Sequence, residues 1–202
     1  MTYKFLTQPL DKGLYEPEGI YLSLPLDGDC HIVQSWGENS LFYRTVTYSG
    51  VPLKGHNGID FRARRGATIF AVARGRVVNI GYEPEGWGRY IKIEHTWGES
   101  FYAHLGTIAV DAGQIVEQGA SIATVEQAPI LHMREDNQSY LHFGIRIKPY
   151  NRFDGWGGFV DPIAFLDSSK LFFAYTEADD NRNLLDFSPH PMMKEQEHSR
   201  RP

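Results

Sequence analysis

The stretch between residues 66 and 147 consists of short runs rich in β-branched and aromatic residues, and this feature limits the fold more than any other. The runs, in chain order, are TIFAVA, RVVNIGY, RYIKIEH, SFYAHL, ASIATVE and YLHFGIRI. Turn-forming sequences such as RG, EPEGWG and TWGE separate several of them. No long segment places apolar residues at helical spacing. The pattern predicts an all-β fold with an antiparallel β-sandwich or barrel-like core.

Composition and charge narrow the class of protein. A chain of 202 residues with 42% apolar content is long enough to bury one proper core. The formal net charge is -5 and the charges of both signs are interspersed, so neither nucleic acid nor an anionic membrane is favoured as a partner. No apolar run is long enough to cross a membrane, and no signal-peptide pattern is visible. Action outside the cell would then need another delivery route, and the localisation stays open.

The cysteine count restricts the chemistry of any metal site. Cys30 is the only cysteine, which excludes an intramolecular disulfide and a thiolate zinc cluster. A metal site in this chain must therefore use histidines and carboxylates. The sequence GHNGID provides one such pair, His56 and Asp60, four positions apart in a loop where Gly55 and Gly58 supply backbone freedom. On its own this short motif is common and carries little weight.

Two further histidines lie on predicted strands, where alternate side chains face opposite sides. In SYLHFGIRI one face is wholly apolar and belongs to the core, which leaves a polar face suited to the wall of a groove. That polar face carries Tyr140, His142, Gly144 and Arg146. In SFYAHL the same alternation places His104 on the face of Tyr102. The pair in GHNGID and these two histidines suffice for a three-ligand zinc site with a fourth histidine nearby, an arrangement that leaves one position open for catalysis.

Several motifs taken together resemble a known family. In order they are GHNGIDFRARRGATIFAVARGRVV, GRYIKIEH, SFYAHLGTI, GQIVEQGASIATV and YLHFGIRI. This succession closely resembles the LytM/lysostaphin-type zinc endopeptidases, metallopeptidase family 23, which have the duplicated hybrid motif fold. The resemblance covers about residues 34–166. It implies a β-sheet core with a groove and divides the chain into a loop-rich N-terminal extension (1–33), a peptidase domain (34–167) and a C-terminal segment ending in a mobile tail (168–202).

The resemblance also implies roles for individual residues. His56 and Asp60 match the family's H-x-x-x-D motif and His142 matches the histidine of its closing strand, so these three are the expected ligands of one Zn²⁺ per chain. His104 matches the histidine of the family's YAHL motif, which is catalytic. The expected substrate is the peptide stem or cross-bridge of bacterial peptidoglycan.

The chain departs from the family pattern at one catalytic position. Where the family closes with H-x-H, this chain has Tyr140 before His142, and the lead-in reads EQAPILHMREDNQS in place of the usual glycine- and serine-rich sequence. A tyrosine hydroxyl is a poor base at neutral pH and a competent hydrogen-bond donor. Tyr140 can therefore stabilise an oxyanion while His104 serves as base, with altered or reduced activity. His132, in the lead-in, is a less favoured substitute.

Two function classes stay open. In the first the chain is a zinc metallo-endopeptidase acting on peptidoglycan. In the second it is a non-hydrolytic wall-binding or structural module, for example in a phage tail or another assembled particle, that retains the fold. Trp36 and Trp156 flank the predicted core and are candidates to line a groove, whereas His95 is expected to make a structural hydrogen bond.

Overall fold

The computed structural model of the chain describes residues 19–20, 22–84, 86–126 and 139–173. Within these residues the fold is almost entirely β, which confirms the predicted class. One short helix, α1 (Ser40–Tyr43), and two 3-10 turns at Pro162–Phe165 and Ser168–Lys170 are the helical elements of the described part. The strands are β1 (Cys30–Gln34), β2 (Thr47–Tyr48), β3 (Val51–Pro52), β4 (Ile59–Ala63), β5 (Thr68–Phe70), β6 (Gly75–Glu83), β7 (Gly88–Glu94), β8 (Gly98–Ile108), β9 (Ile115–Val116), β10 (Ser121–Val125), β11 (Ser139–Ile147) and β12 (Leu171–Phe173).

Ten of these strands form one large sheet. Its main path runs β12-β1-β4-β11-β8-β7-β6-β9, and β10 joins β8 to β5. Strands β2 and β3 form a separate hairpin. The pairing is antiparallel except between β1 and β12, which run parallel. The sheet is therefore mixed and its main path does not close into a barrel, although the antiparallel core agrees with the prediction.

Strand β11 sits at the centre of the sheet and shows the predicted alternation. Leu141, Phe143 and Ile145 are completely buried in the core. They pack with residues of the neighbouring strands, such as Phe61 of β4 and Tyr102 of β8. Full burial of one such side chain stabilises the fold by about 1.5–3 kcal/mol. This packing fixes the register of β11 and turns Tyr140 and His142 to the opposite face.

The segment before residue 34 contributes to the same core. Leu22, Leu26, Cys30 and Ile32 are buried there. Strand β1 pairs with β4 on one side and with β12 on the other, so parts of both predicted flanking segments belong to the main sheet. The C-terminal tail after residue 173 and most of the N-terminal extension lie outside the described residues.

The polar face of β11 is more covered than the sequence suggested. Arg146 is fully buried, pairs with Glu99 through a 2.7 Å contact and lies over the ring of Phe159. A Cβ on Gly144 would stand 2.9 Å from the Phe159 ring, so that glycine accommodates a side chain of the chain itself. The predicted groove wall is therefore limited to the Tyr140 end of the strand.

Candidate metal centre

Three elements bring the predicted ligands together. His56 precedes β4 and its backbone N–H donates to the carbonyl of Glu38 at 2.9 Å. Asp60, in β4, lies directly opposite His142 of β11 in the strand register. A Cβ on Gly58 would stand only 2.6 Å from the His142 ring, so a glycine is needed for the loop to pass this close. The sheet register and one tight loop thus set the positions of all three side chains.

The ligand atoms of His56, Asp60 and His142 converge on one point. His56 Nε2 lies 3.0 Å from His142 Nδ1 and 3.2 Å from Asp60 Oδ1. His142 Nδ1 lies 2.9 Å from the same carboxylate oxygen. All three residues are buried, with 7% exposure or less. These three residues form the only such cluster of histidine, cysteine and carboxylate ligands within residues 19–20, 22–84, 86–126 and 139–173.

The hydrogen-bond pattern shows why a cation suits this cluster. His56 Nδ1 faces the carbonyl oxygen of Ser35 at 3.1 Å, and because a carbonyl only accepts, the proton of a neutral His56 sits on Nδ1. Its Nε2 then presents a lone pair to the Asp60 carboxylate, which is also an acceptor. A positive charge between these atoms relieves that repulsion. Nε2 of His142 is buried without a partner among the described residues, so only its Nδ1 side meets the cluster.

The pKa values of Asp60 and His142 also agree with a metal site. Burial alone would raise the pKa of Asp60, but the neighbouring His56 and His142 outweigh it and hold that pKa well below its usual range. Burial lowers the pKa of His142. The carboxylate is therefore ionised and the His142 imidazole neutral near pH 7, the forms that ligate metals.

The donor set and its spacing suit zinc. Zinc binds histidine nitrogen and carboxylate oxygen at about 2.0–2.2 Å, and tetrahedral angles then require ligand atoms about 3.3–3.5 Å apart. The observed separations of 2.9–3.2 Å are slightly tighter and need only a small outward shift. Three protein ligands leave one position of a tetrahedral ion open, which is the catalytic rather than the structural arrangement.

His104 lies on the same face as the three ligands, which strict alternation did not predict. Alternation placed it beside Tyr102, whose ring is fully buried on the core face. The register between β7 and β8 shifts at this point, and His104 is the extra residue of a β-bulge. Its ring instead stands 4.7 Å from that of Tyr140 and 6.5 Å from that of His142, centroid to centroid. The predicted shared face with Tyr102 was therefore wrong.

The backbone of His104 is strained at the bulge that turns its side chain to the face of the ligands. Its φ is 62°, in the left-handed region that costs a non-glycine residue about 1–2 kcal/mol. The N–H of His104 donates to the carbonyl of Trp87 at 2.9 Å, and its carbonyl accepts from the N–H of Glu126 at 3.0 Å. Strain that surrounding hydrogen bonds maintain is characteristic of functional sites. The bulge aims an imidazole at the metal-ligand cluster.

Two residues near the ligands were not predicted from the sequence to contact them. Tyr43, the last residue of α1, places its ring 5.5 Å from that of His56, and its hydroxyl lies 3.4 Å from the amide nitrogen of Gln34. Burial, together with the charge of Asp60, raises the pKa of Tyr43, so its hydroxyl stays protonated. Trp87 packs its ring 4.5 Å from that of His142. Only the three-dimensional arrangement reveals these contacts, because none of these residues has a diagnostic spacing from the ligands.

The other residues singled out by the sequence have clear positions. Trp36 and Trp156 stack on each other with ring centroids 4.6 Å apart. His95 hydrogen-bonds Ser100 Oγ and the carbonyl of Arg74, each at 2.8 Å, which is the structural role expected for it. His132 lies outside the described residues, as does all of the altered lead-in between residues 127 and 138.

The chain matches the model of peptidase family M23 over residues 54–154. It therefore belongs to peptidase family M23, which confirms the resemblance seen in its motifs. The matched range includes His56, Asp60, His104, Tyr140 and His142. No helix within the described residues has the length and apolar character that crossing a membrane requires.

Individual relatives include both hydrolases and activators. The chain is 38% identical over 94 residues to the peptidoglycan DD-endopeptidase ShyB of Vibrio cholerae, covering 46% of this chain and 21% of that protein. It is 36% identical over 124 residues to the murein hydrolase activator NlpD of Escherichia coli, covering 61% and 29%. The first curated relatives are matched over only 18–39% of their own lengths.

A solved structure supports the fold. A zinc-containing peptidase from Vibrio cholerae aligns with a TM-score of 0.52 at 22% identity, covering 80% of this chain and 46% of that one. At this identity the likeness concerns the fold alone.

Proposed function

We propose that this chain is a zinc metallo-endopeptidase that hydrolyses peptide bonds in the stems or cross-bridges of bacterial peptidoglycan. The observation that carries the proposal is the convergence of three ligand atoms, 2.9–3.2 Å apart, beside a half-buried imidazole on the same face. Family membership supports a peptidase, and a relative named as a peptidoglycan endopeptidase supports the substrate class.

In this proposal His56 Nε2, Asp60 Oδ1 and His142 Nδ1 hold the ion. A bound zinc ion supplies Lewis-acid catalysis, because it polarises a peptide carbonyl and makes water more acidic. The protein contributes the orientation of the ligands. The Ser35 carbonyl holds the His56 ring through its Nδ1 proton, and contact with Trp87 fixes the ring of His142.

Two further side chains have separate roles in this proposal, one in proton transfer and one in stabilising negative charge. His104, half-buried and aimed by the bulge, accepts the proton of the attacking water and later donates it to the leaving amine. Tyr140 donates a hydrogen bond to the oxygen on which negative charge develops. Their rings lie edge to face with centroids 4.7 Å apart, and in this proposal both side chains act on the same peptide group. A tyrosine replaces one of two catalytic histidines, and we expect slower or differently tuned hydrolysis.

A second candidate function is a non-hydrolytic module that binds or regulates the cell wall. The observation that favours it is Tyr140, which removes a titrating group from the catalytic pair. The similarity to a protein named as a murein hydrolase activator adds weight. Incorporation into a phage tail or another particle is one form of this alternative.

One assay distinguishes the peptidase from the non-hydrolytic module. Purified full-length protein is loaded with zinc and incubated with peptidoglycan of several chemotypes, and newly exposed amines are measured. His104→Ala is the matched control, because it leaves the three proposed ligands unchanged. We expect amine release by the wild type and a loss of about 10²-fold or more in His104→Ala at equal zinc content. If the wild type is fully loaded with zinc but releases no amines from any peptidoglycan, the peptidase function is wrong and the non-hydrolytic function is favoured.

A further inference from the structure

Arg62 and Tyr140 form the next pair of residues on the site face after Asp60 and His142. In the antiparallel register of β4 and β11, Asp60 lies opposite His142 and Arg62 lies opposite Tyr140, with no shift between the two pairs. Side chains two positions apart in a strand point to the same face. Because Asp60 Oδ1 and His142 Nδ1 meet at 2.9 Å on that face, the side chains of Arg62 and Tyr140 project there too.

The Arg62 side chain is held close to Tyr140. Directly opposed residues of antiparallel strands have Cβ atoms about 4.5–5.5 Å apart, a distance that an arginine side chain readily spans. Both residues are half-buried, and the Nε atom of Arg62 is buried, so the arginine stem lies against the protein. A positive charge in such surroundings is screened less than a charge in water.

Two other cations on this face of the sheet are engaged elsewhere. The guanidinium of Arg146 is paired with Glu99 at 2.7 Å. The ammonium of Lys92 lies over one aromatic ring of β7 and one of β8, and β8 separates its own strand, β7, from β11. Of these three cations, Arg62 is the one that the strand register places directly beside Tyr140.

The tyrosine at position 140 lacks a charge that a histidine can provide. A tyrosine hydroxyl donates a hydrogen bond but carries no positive charge at neutral pH, whereas an imidazole can do both. An arginine is charged throughout this pH range and presents several N–H donors. Donors and charges aimed at the place where negative charge develops are usually the largest contribution to catalysis of acyl transfer.

We propose that Arg62 supplies the positive charge that stabilises the oxyanion beside Tyr140. Arg62 and Tyr140 together then perform the task of the histidine that the family pattern has at position 140. The hydroxyl provides the hydrogen bond and the guanidinium provides the charge. The inference rests on the proposed function for the reaction in which this charge acts.

The test measures anion binding and needs no hydrolysis. Full-length protein is loaded with Co²⁺, whose visible absorption responds to the ligands of the metal, and is titrated with inorganic phosphate, a tetrahedral anion. Arg62→Gln should bind phosphate about fivefold to tenfold more weakly than the wild type, because a half-buried charge near the anion is lost. Arg62→Lys keeps the charge and should stay within about twofold of the wild type.

Two controls separate the charge of Arg62 from other effects. Imidazole is a neutral ligand, so its affinity for the Co²⁺-loaded protein should be the same in Arg62→Gln and the wild type, and so should the metal content. Lys92→Gln removes a cation from the same face, two strands away from β11. Because of that distance it should bind phosphate within about twofold of the wild type.

The kinetic effect of the charge should depend on the residue at position 140. On peptidoglycan, Arg62→Gln should lower kcat by about tenfold, and by less in the Tyr140→His background, where an imidazole can carry the charge. Equal phosphate affinity of Arg62→Gln and the wild type, no measurable phosphate binding, or a parallel loss of imidazole binding overturns the inference. Phosphate binding that depends on Arg62 without wall hydrolysis would instead overturn only the peptidase function.

Discussion

Tyr140 stands edge-on to His104, with ring centroids 4.7 Å apart and ring planes at 64°. The two residues come from neighbouring strands, and the bulge in β8 brings the histidine onto the face of β11 that carries the tyrosine. This pair occupies the place where the family pattern has two histidines. Under the proposed function, the chemistry of this pair sets the rate of hydrolysis.

Tyr140→Phe removes the proposed hydrogen-bond donor and keeps the ring that packs on His104. We expect kcat on peptidoglycan to fall by about 10²-fold with unchanged zinc content, because one donor to a developing oxyanion is lost. Tyr140→His should be at least as active as the wild type, since an imidazole restores the family's group. Equal activity of Tyr140→Phe and the wild type would show that the hydroxyl has no catalytic role.

The left-handed backbone of His104 predicts an unusual order of stabilities. His104→Gly should be more stable than His104→Ala by about 1 kcal/mol, because glycine adopts a φ of 62° without strain. Urea unfolding of the two variants measures the difference. The same pair of substitutions at Thr107, in the same strand, should give the opposite order, with alanine the more stable by about 0.5–1 kcal/mol. Equal stability of the two His104 variants would argue against the bulge.

Gly58 sets the approach of the GHNGID loop to His142. A Cβ at this position would meet the His142 ring and the carbonyl oxygen of Phe143, each at 2.6 Å. Gly58→Ala should therefore lower zinc affinity and destabilise the fold by about 1–3 kcal/mol. Gly113→Ala is a suitable control, because that position has open space and a φ of 88°; it should cost about 1 kcal/mol and leave zinc binding unchanged. Chelator competition measures the affinity.

The buried thiol of Cys30 gives a prediction that is independent of the metal centre. Burial raises its pKa from an ordinary 9.0 to about 11, so the thiol stays protonated at pH 8 and should react with thiol reagents only when the protein is unfolded. The pKa of this thiol is higher in the folded protein than in the unfolded chain. The protonated thiol therefore contributes its full stabilisation below pH 9, and this stabilisation is lost as the pH rises to about 11. Urea midpoints across this range should therefore fall less in Cys30→Ala. Rapid labelling of native protein at pH 8 would contradict the burial.

The sequence predicted those parts of the fold that depend on local patterns. The apolar alternation of Leu141 and Phe143 identified β11 and its core face, because a strand buried on one face leaves a period of two. The positions of His56, Asp60 and His142 came from motif order. The bulge at His104 could not be foreseen, since an inserted residue changes the face of a side chain without changing the composition of the strand.

Long-range packing accounts for most of what the sequence missed. Three of these features depend on contacts between residues that are not neighbours in the chain. They are the packing of Arg146 against Phe159, the contact of the Tyr43 ring with that of His56, and the parallel pairing of β1 with β12. Leu22 and Cys30 lie in a stretch rich in turn residues, which favoured a loop, yet their side chains fill the core. Tertiary contacts override local preference at these positions.

The zinc content of purified protein tests the proposed metal centre most directly. We expect about one zinc per chain in the wild type and loss of zinc in His142→Ala. His31→Ala, which removes an exposed histidine that pairs with Arg62 in the strand register and lies outside the ligand cluster, should retain zinc at the wild-type level. Stoichiometric zinc in His142→Ala, or a wild type that binds none, would contradict the proposed metal centre.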